Sequence, residues 1–210
     1  MKYISKIPDT DINLNNDMIS TGWKMLKEPR NLVTATLISL PISIINIYLC
    51  IFFIKLINKD LLTIINSIFY DGKFVFTIKL VYIVYIYVYI FLHEVIHLVC
   101  IPNFANSKST FISVKLWGGF VYTEEIISRN RYLIVTIMPF IILSFVMPII
   151  MTLLGVNPMI ILILAIVNAA GASVDVLSFI LLFFQVPRNS KIKNNGIKTF
   201  YKSSKVSNLD

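Results

Sequence analysis

The chain has 210 residues, 57% of them hydrophobic, a formal net charge of +8 and a mean hydropathy of +0.78. Soluble domains are about 45–50% apolar, so this excess excludes an ordinary water-soluble globule and makes lipid the solvent of most of the chain. The basic residues flank apolar runs instead of forming one surface, which argues against a nucleic-acid partner and for topology determinants beside anionic headgroups.

In chain order, residues 1–31 are polar and carry Lys2, Lys6, Lys24, Lys27 and Arg30. A polar stretch of that length before the first apolar run, with no small-residue cleavage site after it, does not read as a secretory signal. Residues 20–27 read as a short interfacial helix with Trp23 at headgroup level. Four runs then reach the roughly 20 residues needed to cross a bilayer: Leu32–Ile57, Phe74–Ile101, Tyr132–Leu154 and Pro158–Phe184. Pro41, Pro139 and Pro148 are expected to kink their spans, and Lys79 to snorkel. Between the second and third runs, two β-type stretches from Phe111 to Thr123 flank Gly118-Gly119, a hairpin signal. Residues 185–210 lack apolar periodicity and are expected to be flexible.

The expected fold is therefore an all-α integral membrane protein: four transmembrane helices with a small cytoplasmic β-hairpin between spans two and three. The expected division is a cytoplasmic segment 1–31, a membrane domain 32–184 and a basic cytoplasmic tail 185–210. Lysine and arginine concentrate in both terminal segments and in the middle loop, which places these in the cytoplasm and the protein in the cell membrane by the positive-inside rule. Cys50 and Cys100 fall in different spans and are not expected to pair.

Within the second run, His93-Glu94-Val95-Ile96-His97 is an H-E-x-x-H motif containing both histidines of the chain. Residues i and i+4 share a helix face, so both imidazoles can reach one metal ion. Glu94, about 100° around the helix, can lie beside the metal and serve as a general base toward water. Two ordinary histidines and a glutamate would be a costly alternative inside a span, at roughly 2.5–3.5 kcal/mol for a carboxylate alone.

Zinc requires a further protein ligand while leaving a position open. Asp175 is the only other acidic residue inside a span. By residue count, His93 and Asp175 both lie roughly 12–14 Å in from the cytoplasmic ends of their spans. The other reading of Asp175 is a helix–helix hydrogen-bond partner or part of an ion pathway. Asn168, seven residues earlier on nearly the same face, can bind substrate backbone or a developing oxyanion, or join helices as a buried amide. The small residues between them suit close helix packing. The hairpin is a candidate edge strand for an extended substrate, or a cover with no substrate role.

With His93-Glu94-x-x-His97 in one span and Asn168 and Asp175 in a later one, residues 74–185 resemble the intramembrane site-two proteases. In size and layout the chain is more similar to the bacterial putative zincin peptidase family, known as a domain of unknown function. The resemblance implies zinc held by His93, His97 and Asp175, with Glu94 as catalytic base and Asn168 assisting. It departs from the site-two pattern in three ways: the Asn–Asp spacing is seven instead of eight, the proline is missing, and Val176 stands where glycine is expected. The implied activity is hydrolysis of a membrane protein or peptide substrate in or beside the lipid bilayer. The alternatives are a non-catalytic metal-binding membrane protein (a transporter, immunity or scaffold factor) or a metal-ion transporter. Glu94 argues against the first of these, and the lack of charge along spans one and three, apart from Lys55 at the end of span one, against the second.

Overall fold

The computed structural model describes residues 2–58, 69–70, 73–74, 80–115 and 118–203. Lys79 and Trp117 lie outside them. A strand β1 (Lys2–Tyr3) is followed by helix α1 (Ile12–Ser20), strand β2 (Lys24–Met25) and the long helix α2 (Leu32–Ile57). A two-residue ribbon, β3 (Phe69–Tyr70) with β4 (Lys73–Phe74), precedes α3 (Leu80–Cys100). Strands β5 (Thr110–Lys115), β6 (Gly118–Thr123) and β7 (Ile127–Ser128) lead into α4 (Arg129–Ile141), a π turn (Ile142–Val146) and α5 (Met147–Leu153). Helices α6 (Pro158–Gly171) and α7 (Ser173–Gln185) follow, then strands β8 (Ser190–Asn195) and β9 (Lys198–Ser203).

Among the described residues, three helical segments are long and apolar enough to cross a membrane: Leu32–Ile57, Leu80–Cys100 and Arg129–Leu153. The first has the expected bounds because its ends are chemically marked. Asn31 accepts from the Thr34 amide at 2.9 Å and its own amide donates to the Thr34 hydroxyl, a reciprocal cap. The fourth expected span is instead two helices, α6 and α7, bent by 45° at Ala172. The bend needs no proline. Ala169 and Ala172 are wholly buried against Cys50 and Ile54 of α2, and two polar side chains of α2 hold the joint. Asn46 donates to the Ala169 carbonyl at 3.2 Å, and the Ser39 and Ser173 hydroxyls meet at 3.1 Å. Small residues allow this close approach and the polar groups fix it.

The chain is mostly helical but not all-α. One sheet has the order β1-β5-β6 and another β2-β9-β8-β7. In the predicted hairpin the glycines do not form the turn. Gly118 and Gly119 open the second strand, paired with Lys115 and Val114. The helix expected over 20–27 lies earlier, at Ile12–Ser20, and Lys24–Met25 is a strand.

The tail expected to be flexible is ordered through Ser203. It forms the β8–β9 hairpin and pairs through β9 with β2 of the N-terminal segment. Ile192 packs with Leu26, Leu133, Leu182 and Val186, and Phe200 is likewise fully buried. Polar bonds tie the two terminal segments together. Asn195 donates to the Asp11 carbonyl and to Asn15 at 2.8 Å each, and accepts from the Asp11 amide. Arg129 secures the junction with the helices by donating to the carbonyls of Phe183 and Val186 at the C-terminus of α7. Cys50 and Cys100 are both free.

Candidate metal centre

The i, i+4 spacing on α3 brings the imidazoles of His93 and His97 together, with ring centroids 4.9 Å apart. The bend at Ala172 sets Asp175 in the first turn of α7, facing them. Its Oδ2 lies 3.1 Å from His93 Nε2 and its Oδ1 3.5 Å from His97 Nε2. One atom from each of the three residues falls within 4.8 Å of the others, the arrangement that can hold a metal ion. Four-coordinate zinc, with ligand distances of about 2.0–2.1 Å, sets neighbouring ligand atoms about 3.3 Å apart; the two observed separations bracket that spacing.

The outer nitrogens decide what the inner ones present. His97 Nδ1 lies 2.7 Å from the Val135 carbonyl, which only accepts, so Nδ1 carries the proton. His93 Nδ1 lies 2.9 Å from Asn168 Oδ1. The Asn168 amide nitrogen faces the Pro139 carbonyl (3.3 Å) and the Ser144 hydroxyl (2.9 Å), which fixes the amide's orientation and makes His93 Nδ1 a donor as well. With Nδ1 of each ring engaged behind it, Nε2 is the atom left facing the Asp175 carboxylate. Two imidazole nitrogens and one carboxylate converging in this way form a donor set that suits zinc.

Asn168 was a candidate for contacting substrate. It is buried, both its amide hydrogens are committed, and its carbonyl is bonded to His93. The geometry gives it a positioning task and leaves it no donor for an oxyanion.

Glu94 is buried beside the two histidines, and among the described residues no donor bonds its carboxylate. Strand β6 passes directly over it. A Cβ built on Gly119 would stand 2.7 Å from Glu94 Cγ and 2.7 Å from the Ser113 carbonyl oxygen, so only glycine permits this approach. The sequence marked Gly119 as a turn former and so missed this role. Also missed were the Val135 carbonyl and Ser144. The one available signal for Val135 is the proline four residues after it.

A cavity of about 520 Å³ opens over the centre. Its lining joins His93, Glu94, His97 and Asp175 to β6 residues Gly119 and Val121, and to Glu28 between β2 and α2. It holds three carboxylates and, among the described residues, no lysine or arginine. Glu28 accepts from the Thr199 amide at 2.7 Å and hydroxyl at 3.1 Å. Burial raises its carboxyl above the ordinary value, and the bonds from Thr199 work against that shift.

In comparisons with known proteins, no curated protein and no solved structure matches the chain. The profile of the family described as "Putative zincin peptidase" matches residues 86–191, from the middle of α3 into β8. That match covers half of the chain and includes the converging histidines, the aspartate and the carboxylate beside them: the chain belongs to the putative zincin peptidase family.

Proposed function

We propose that this chain is a membrane-embedded, zinc-dependent peptidase that hydrolyses a peptide bond of a membrane protein or peptide substrate within or beside the bilayer. The observation that carries the reading is the convergence of His93, His97 and Asp175 next to a buried Glu94 whose carboxylate accepts no hydrogen bond among the described residues. A purely structural metal site closes its coordination and has no use for a free acid at its side.

Zinc, when bound, supplies Lewis acidity toward the scissile carbonyl and toward water. Glu94 takes a proton from the attacking water as the new C–O bond forms, and passes it to the amine nitrogen as the C–N bond breaks. Asn168 and the Val135 carbonyl hold the two imidazoles in place from behind. Strand β6 is the outer strand of its sheet and lines the cavity. Asn194 bonds the Thr123 carbonyl on that outer edge. Alternation along the strand then points the backbone groups of Val121 and Gly119 the same way, available to pair with an extended substrate. A helical substrate must unwind to do so, which exposes the bond to be cut.

The membrane arrangement that fits is four spans, namely α2, α3, α4 through α5, and the bent α6–α7 pair, with both termini and the β5–β6 hairpin in the cytoplasm. The test is the zinc content of detergent-purified wild type, His97→Ala and Asp175→Ala, together with cleavage of a peptide library by wild type and Glu94→Gln. About one zinc per chain, lost in both ligand variants, with Glu94→Gln retaining zinc but not cutting, is the expected outcome. Zinc-free wild type from a chelator-free preparation would overturn the reading in favour of a non-catalytic membrane protein.

A further inference from the structure

The carbonyl that orients His97 is available because of a proline. In an α-helix the N–H of residue i donates to the carbonyl of residue i−4. Residue 139 is proline and has no N–H, so the Val135 carbonyl lacks its regular helical donor. The donor it has instead is His97 Nδ1, at 2.7 Å. We propose that Pro139 is a positioning residue of the metal centre. By withholding a helical N–H it reserves the Val135 carbonyl for His97, fixes the proton on Nδ1 and turns Nε2 toward Asp175. This rests on the metal-site reading above.

The same segment serves the other histidine. The Pro139 carbonyl and the Ser144 hydroxyl both accept from Asn168, whose own carbonyl accepts from His93. Ser144 reaches that amide from the π turn, a distortion that recurs at functional sites. One stretch of the third candidate span thus buttresses both imidazoles from behind.

Pro148 supplies an internal control. It too lacks an N–H, just after the π turn in which the Met147 N–H bonds the Ile142 carbonyl, and the Ser144 carbonyl nearby lies 3.7 Å from the Cys50 sulfur. That contact joins α2 to the third candidate span and touches no ligand. Tyr89 similarly donates to the Leu143 carbonyl at 2.6 Å.

The experiment measures zinc affinity by competition with a chromogenic chelator for detergent-purified wild type, Pro139→Ala and Pro148→Ala, with thermal melts of the metal-free proteins alongside. Pro139→Ala restores an N–H that competes for the Val135 carbonyl. Its zinc affinity should fall about 10- to 100-fold, as for other groups that hold metal ligands, while its metal-free melting temperature does not fall. Pro148→Ala should bind zinc like wild type. Should Pro139→Ala fail to fold, nitrogen-15 histidine labelling of zinc-loaded wild type tests the same point, since the chain has only two histidines. Both rings should be coordinated through Nε2 with a proton on Nδ1. Unchanged zinc affinity in Pro139→Ala, or coordination of His97 through Nδ1, would overturn this proposal and leave the metal site standing. Wild type that holds no zinc would overturn both.

Discussion

Gly119→Ala separates the chemistry of this centre from its metal. The added Cβ would lie 2.7 Å from Glu94 Cγ, 3.2 Å from Glu94 Cδ and 2.7 Å from the Ser113 carbonyl oxygen. Carbon–carbon contacts rest at about 3.5–4.0 Å, so roughly 1 Å of separation must be found between β6 and α3. Ser113 belongs to the backbone of the paired strand and yields little, which leaves the displacement to Glu94 or to β6. Overpacking of this kind costs about 1–3 kcal/mol of stability, and a misplacement of about 1 Å at a reacting group costs about 100-fold in rate. None of these nearest atoms belongs to His93, His97 or Asp175. The variant should therefore hold zinc as wild type does, melt several degrees lower in detergent, and cut a peptide library at about one-hundredth of the wild-type rate. Undiminished cleavage would show that the approach of β6 to Glu94 has no part in catalysis, and loss of zinc would show that Gly119 supports the ligands instead.

Asn168→Ala removes the acceptor behind His93, and a 10- to 100-fold weaker zinc affinity by chelator competition is expected; an unchanged affinity would make the amide a helix-packing group alone. Glu28→Gln addresses pH. A carboxyl raised in the folded state keeps its proton longer there than when unfolded, so its contribution is fullest below the unfolded value, near 4.5, and declines as pH rises through the folded one. The glutamine keeps an acceptor for the Thr199 amide without the buried charge, so it should melt higher than wild type at pH 8, and the gap should narrow toward pH 4.5. Phe200→Ala, at a fully buried position of β9, should cost about 3–5 kcal/mol in a detergent melt; a negligible change would mean that the C-terminal hairpin adds nothing to the fold.

What could be read from the sequence follows which groups carry a sequence signature. Leu32–Ile57 was legible to the residue because an apolar run in lipid ends where Asn31 and Asn58 begin. His93, His97 and Asp175 were legible because an ionisable group inside a span demands a partner, and the structure brings the three together. The C-terminal hairpin was not legible. Its strands read Ser-Lys-Ile-Lys-Asn-Asn and Lys-Thr-Phe-Tyr-Lys-Ser, with the burial signal confined mainly to Ile192 and Phe200, while Asn194 and Asn195 are buried by hydrogen bonding that composition does not reveal. The break at Ala172 was hidden for a related reason. Alanine and glycine permit a close joint, but Ser39 and Asn46, more than 120 residues earlier, fix it. The hydrogen bond from His97 to Val135 engages a main-chain carbonyl, which every residue possesses, and so leaves no trace beyond Pro139.

The clasp between Asn195 and the Asp11–Asn15 segment spans 184 residues of sequence. Asp11 precedes every helix of the bundle and Asn195 follows them, so this sheet can close only after the helices between them have been made. The cavity over Glu94 gains Thr199, part of its rim, at that same late moment. A nascent chain thus carries His93, His97 and Asp175 before it carries the strand that finishes the wall of the cleft above them.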